Sequence, residues 1–214
     1  MGTDIHITVQ QRQADGWKTL DPKLHGVLSY GEKDWCEDRN YNLFAILANV
    51  RNGRGFAGVV TGGGFNVISE PRGYPEDLEP SFIEDADWGH SHTWLSLKEI
   101  LDFAWDQTTT SCGVVTPGEF VRWQTEGRPQ SWSGGISGQN IRTVPNEEMA
   151  EMIRTGEASP IPKGPMGLGG SVFTNVSWEI KYEDSAQKFL GLCRENLLPL
   201  GDPDDIRFLI FFDS

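Results

Sequence analysis

From Arg39 to Arg72 the chain carries four arginines, Arg39, Arg51, Arg54 and Arg72, against one acid, Glu70. The same stretch holds Gly53, Gly55, Gly58, Gly62, Gly63 and Gly64. Guanidinium forks match phosphate oxygens, and a glycine backbone can approach a ligand closely and offer N–H donors. Tyr41, Phe56 and Phe65 add rings on which a base can stack. The pattern describes a site for a small anionic ligand, and a nucleotide answers to all three features. The expected ligand set is Arg54, Arg72, Arg39, Arg51, Tyr41, Phe56, Phe65 and Gly63. Arg54 and Arg72 come first because they flank the glycines. The alternative is a surface loop whose arginines pair with the acidic run at 76–87. No named nucleotide fingerprint applies: Gly-Lys-Ser/Thr is missing, and Gly62-Gly63-Gly64 does not fit GxGxxG.

The histidines are His6, His25, His90 and His92. Asp4 and His6 share a strand face, and His90 and His92 would share one if extended. With Asp87 or Asp213, the set Asp4, His6, His90 and His92 offers nitrogen and oxygen donors for a divalent metal. Such a metal would activate water against a phosphodiester. Any strand yields Asp-x-His by chance, so hydrogen-bonded structural roles are the alternative. The binding reading requires no cofactor, and the hydrolytic one requires the metal. Nucleophilic catalysis has little support, since no Gly-x-Ser-x-Gly occurs and Ser69 and Ser91 have no assigned base. Cys36, Cys112 and Cys193 are odd in number, widely spaced and outside any CxxC, and they read as reduced thiols.

These residues must be positioned by a folded core. The 214-residue chain is 37% hydrophobic, with eight Trp and eleven Phe, which argues against disorder. Its formal net charge of −13 disfavours a surface binder of duplex nucleic acid or of an anionic membrane. No stretch approaches the ~20 apolar residues of a membrane span, and the first residues lack the basic start of a leader.

Alternation of Ile5, Ile7 and Val9 predicts a strand over 3–10, followed by a turn at Asp15-Gly16. Leu43, Phe44, Leu47 and Val50 predict a helix over 39–50, ended by Asn52-Gly53. Residues 53–75 read as an extended loop, and 75–87 as an acidic, solvated one. Ser96-x-x-Glu99 and Thr116-x-x-Glu119 are capping boxes, opening helices to about Trp105 and Thr125. A Gly, Ser and Gln-rich loop spans 127–140, a short helix 146–154, and a Pro/Gly loop 159–170. Val172 to Tyr182 alternates as a strand, Ser185 caps a helix to about Leu197, and Ile206–Asp213 suits a central strand. The expected fold is α+β, one globular domain over 1–214. It would have a small, mostly antiparallel sheet, several short helices and long Gly/Pro-rich loops.

Several blocks form a set: Met1-Gly2-Thr3-Asp4-Ile5-His6, the run from Arg39 to Gly53, Gly64-Phe65-Asn66 with Ile68 to Gly73, Gly89 to Leu95, and Asp205 to Phe208 running into Phe211-Phe212-Asp213. The set resembles a family of uncharacterised proteins encoded by bacteriophages and prophages, along nearly the whole chain. The resemblance carries no catalytic residues. It implies a phage origin and the cytoplasm of an infected bacterial host. Small phage proteins often counter host defence, some by sequestering cyclic nucleotide signals, an analogy at the level of class. The first reading is thus an anti-defence sponge for a small anionic nucleotide, a homo-oligomer with pockets at subunit interfaces. The second is a metal-dependent phosphoesterase acting on a nucleotide. The third is an acidic protein that binds a host protein.

Overall fold

Ile5, Ile7 and Val9 do alternate with polar neighbours, and they lie in a longer strand than the sequence predicts, β1 (Asp4–Gln13). In chain order there follow β2 (Gly16–Thr19), α1 (Tyr41–Ala48), α2 (Pro80–Ala86), β3 (His90–Ser96), α3 (Leu97–Asp102), β4 (Thr108–Val115) and α4 (Pro117–Glu126). After these come β5 (Arg142–Thr143), α5 (Asn146–Thr155), β6 (Val172–Lys181), α6 (Tyr182–Leu192) and β7 (Ile206–Asp213). The computed structural model describes residues 2–27, 34–36, 39–138, 141–160 and 172–213, apart from the side chains of Phe56 and Asp85. Most of the expected 159–170 loop lies outside the described residues. The fold is α+β with mostly antiparallel pairing, as expected. Within it the chain groups into two compact units: Met1–Asn52, Phe65–Gln107 and Lys181–Ser214 form one, and Gly53–Gly64 with Thr108–Ile180 the other.

The first unit is built on a sheet of order β2-β1-β7-β3, with β7 central as its apolar run predicts. β7 is antiparallel to both β1 and β3. Period-2 geometry sends Ile5, Ile7, Val9, Leu95, Phe208, Ile210 and Phe212 to one face. There they pack with Phe44 and Leu47 of α1 and Phe189 and Leu190 of α6. Each such side chain, fully buried, contributes on the order of 1.5–3 kcal/mol. Asn40 accepts from Leu43 N–H at 3.1 Å, so α1 starts at Tyr41. It ends at Asn49, left-handed at φ 57°, ahead of the Asn52-Gly53 stop that the sequence suggests.

The opposite sheet face is mixed, with Leu209 and Phe211 buried beside polar residues. Thr8, Gln10 and Arg207 are buried on it. The acidic run is not simply solvated: Leu78 and Ala86 are buried, residues 80–86 form α2, and Asp77 accepts from Arg207 Nη1 at 2.5 Å. Ser185 is not a cap either. α6 begins three residues earlier, at Tyr182, and Ser185 accepts hydrogen bonds from Asn40 and Asn42.

In the second unit the sheet order is β4-β6-β5, with β5 parallel to β6. Its core gathers Val115, Phe120, Val144, Met149, Met152, Val176 and Trp178. Thr116 caps α4 through Glu119 N–H, as its box predicts. The glycine-rich segment is stitched rather than open, with bridges Arg54 to Val60 and Gly62 to Ser111. A Cβ on Gly62 would stand 2.3 Å from Thr110 O, which is why glycine is required there. Among the described residues, no helix is long and apolar enough to cross a membrane.

Candidate functional site

The register of β1 on β7 sets Asp4 directly opposite Asp213, and His6 opposite Phe211. Like charges at opposed antiparallel positions repel, so cations are needed nearby. Arg39, just ahead of α1, supplies one. Its guanidinium donates to both Asp4 oxygens, from Nη2 at 2.7 Å and from Nε. This bond holds the Asp4 carboxyl below its ordinary range. Asp213 is met by its neighbours on β1: Asp4 N–H donates to it at 3.1 Å, and His6 Nε2 lies 3.7 Å away.

His6 is the centre of this cluster. Its Nδ1 meets Asp34 Oδ2 at 3.3 Å. Asp34 first, then Asp213, push the imidazole's pKa up against the opposing effect of burial. The ring stacks on Phe211 with centroids 4.7 Å apart and meets the edge of Trp88 at 5.3 Å. Trp88 is 60% exposed and so leaves much of an aromatic surface open to solvent beside the imidazole.

The neighbouring residue, Thr3, gathers the next pair. Arg51 Nε donates to Thr3 Oγ1 at 2.7 Å, and its guanidinium sits 4.9 Å over the Tyr41 ring. The Tyr41 hydroxyl accepts from Thr3 N–H at 3.4 Å. Five expected site residues (Asp4, His6, Arg39, Tyr41 and Arg51) therefore converge at the start of β1. Arg39 there is 58% exposed. Arg39, Arg51 and His6 lie here with the carboxylates of Asp4, Asp34 and Asp213, so the patch carries both signs of charge in an acidic chain.

The remaining expected residues lie elsewhere. Arg72 donates to Ser69 and Glu99 and covers the Trp94 ring at 4.5 Å. Phe65 packs edge-on against Tyr182 as part of the core. Arg54, Phe56 and Gly63 belong to the second unit. Arg54 donates to Gly58 O at 3.3 Å, and the Gly63 N–H is taken by Thr110 O at 2.8 Å. The Phe56 side chain lies outside the described residues.

His90 and His92 do not share a face. The bulge between His90 and Thr93, with Ser91 at φ 53°, breaks the alternation. His90 stacks over Phe212 and His92 over Phe211, which point to opposite sides of β7. His92 Nε2 donates to Ala86 O at 2.9 Å. Among the described residues, no group of three or more His, Cys, Asp or Glu is arranged to hold a metal ion.

Sequence reasoning missed Asp34 and Phe211, and it did not single out Trp88 among the tryptophans. Phe211 alternates with the already expected Asp213 on β7, so the β1–β7 register would have found it. Nothing in the local sequence marks Asp34. No protein family, curated protein or solved structure matches the chain.

Proposed function

We propose that the protein is a phage-encoded binding protein that sequesters a small anionic nucleotide at the start of β1. The observation that carries this reading is the convergence of Arg39, Arg51 and His6 with the rings of Tyr41 and Trp88 around the start of β1. Guanidinium and imidazolium groups suit phosphate oxygens, and the rings suit a base. Asp4 already occupies Arg39, yet both side chains are largely exposed. Exchanging that carboxylate for a phosphate therefore costs little. The exposure of Arg39 and Trp88 favours a homo-oligomer in which a second copy completes the pocket.

The test is calorimetric titration with cyclic di- and trinucleotides, then heating to release the ligand and checking its chemical identity. Saturable binding, intact ligand, and at least about a tenfold loss of affinity in Arg39→Ala/Arg51→Ala are expected, since each charge-assisted pair is worth about 1.5–3 kcal/mol. Recovery of cleaved nucleotide, or no binding of any nucleotide tested, sinks the sponge reading.

A further inference from the structure

Strand pairing in the first unit sets Trp17 opposite Arg12, Gln10 opposite Arg207, and Arg207 opposite Ser96. Period two puts Arg12 on the face of Gln10, and Trp94 on the face of Ser96. Arg12, Trp17, Trp94, Ser96 and Arg207 thus share the mixed face of the sheet, and all five line a groove of about 1170 Å³. Arg12 stands six residues along β1 from His6, about 20 Å at the rise of a strand.

The aromatic rings of the groove carry guanidinium groups. Arg12 lies 4.7 Å and Arg207 4.1 Å from the centre of the Trp17 ring, and Arg72 lies 4.5 Å from that of Trp94. A guanidinium stacked on an indole keeps its N–H donors in its own plane, so each stack sets flat surface beside fixed donors. Arg207 is the most firmly held. It is 3% exposed and donates to Gln10 Oε1 at 2.9 Å and to Asp77 Oδ1 at 2.5 Å. Side chains locked in this way lose little freedom when a ligand arrives.

The charges of the lining decide what kind of ligand fits. It holds four cations and six carboxylates. Each cation already has a carboxylate: Arg12 has Asp205 at 3.7 Å, and Arg207 has Asp77. Arg72 has Glu99 at 2.5 Å, and Lys98 has Asp102. Two carboxylates in excess, Glu76 and Asp204, repel an anion. A cation would seek the Trp rings, and guanidinium groups already lie over both. What the matched pairs offer is donors and acceptors side by side, without a net positive field. Hydroxyl groups, which donate and accept at once, use both. The volume exceeds the roughly 300–1,000 Å³ of ordinary small-molecule pockets, so the ligand is an extended one.

We propose that this groove binds a neutral oligosaccharide, its sugar rings against the Arg/Trp stacks and its hydroxyls on the paired arginines and carboxylates. The site is separate from the nucleotide reading and does not depend on it.

The probes are cellohexaose, maltohexaose and N-acetylchitohexaose, with sulfated maltohexaose as the anionic control and spermine as the cationic one. The readout is the set of indole N–H resonances of the full-length chain, assigned by triple-resonance NMR in the unaltered protein, with calorimetry for affinity. Trp105, which donates to Ile100 O in the core, and Trp123, which donates to Ser177 O in the second unit, are internal references. Two variants accompany them. Trp94→Ala removes one stack. Arg12→Ala removes a side chain that is 58% exposed and whose ion pair is worth at most about 1 kcal/mol, so the fold should hold.

The expected result is a saturable shift of Trp17 and Trp94 with at least one neutral hexasaccharide, while Trp105 and Trp123 stay in place. Both charged controls should bind at least about tenfold more weakly. Affinity should fall about tenfold or more in Trp94→Ala and about fivefold in Arg12→Ala. No saturable shift with any of the three sugars, shifts that spare Trp17 and Trp94, preference for a charged control, or undiminished binding by folded Arg12→Ala overturns the proposal. The unaltered chain and Arg12→Ala decide the matter even where Trp94→Ala fails to fold.

Discussion

His6 sits between two carboxylates because β1 and β7 pair in a register that opposes Asp4 and Asp213. Its imidazole should titrate above the ordinary value of 6.5, and Asp34→Asn should lower it more than Asp213→Asn, because Asp34 is the larger cause. An NMR titration of the ring protons checks this, and equal effects of the two variants would count against the assignment. Arg39 and Arg51 were legible as cations of a candidate site. Their meeting on Thr3 and Asp4 was not, since 48 residues separate Arg51 from Thr3. Arg54 and Arg72, placed first by their position beside the glycines, are instead tied locally to Gly58 O and to Ser69 and Glu99. An arginine's composition context says nothing about which acceptor reaches it first.

At the scale of elements, local rules read well at the capping boxes before α3 and α4 and in the alternation of β1 and β6, whereas the expected Ser185 cap and Asn52-Gly53 stop gave way to Lys181 and Asn49. Ser96 opens α3 through a complete capping box, with Glu99 also receiving Arg72. Ser96→Ala should therefore cost about 1 kcal/mol in chemical denaturation, with the loss of the Ser96 Oγ to Glu99 N–H bond. The stitching of the 53–64 segment gives a sharper case. Gly62→Ala forces a Cβ to within 2.3 Å of Thr110 O, and should destabilise by roughly 2–4 kcal/mol. A Gly62→Ala protein as stable as the parent would show that the bridge to Ser111 is not formed. β4 was missed because Thr108 to Val115 shows no clean alternation. Its burial follows from partners in β6 and the 53–64 segment, which no local window contains.

At the scale of the molecule, charge sets a stability profile. Arg39 holds the Asp4 carboxyl below 3.8. Burial raises Asp77 and Glu99, but Arg207 for the first, and the Ser96 N–H with Arg72 for the second, outweigh it and bring both below 3.8 and 4.5 respectively. A depressed carboxylate contributes stability above its unfolded value and loses it as pH falls through the folded one. His6 is raised, so its contribution is complete below 6.5 and is lost as pH rises through the folded value. The melting temperature should therefore be highest between about pH 4.5 and 6.5 and fall on both sides. In Asp34→Asn the alkaline decline should be shallower. A profile that keeps rising above pH 7 would remove His6 from this role.

The sequence by itself determined the α+β class, the central place of Ile206–Asp213, the capped helices α3 and α4, and the residue types of a candidate anion site. Each of these depends on spacing within one element: a period of two, a period near 3.6, or a hydroxyl three residues before a glutamate. The tertiary structure alone decided which candidates meet. Strand register joined Asp4 and His6 to Asp213, the packing of α1 brought Arg39, Tyr41 and Arg51 to them, and a bulge at Ser91 separated His90 from His92. It also decided that Trp35 is buried, its indole N–H without a partner among the described residues. Register, bulges and cavities arise from contacts between residues far apart in the chain, and no local pattern encodes them.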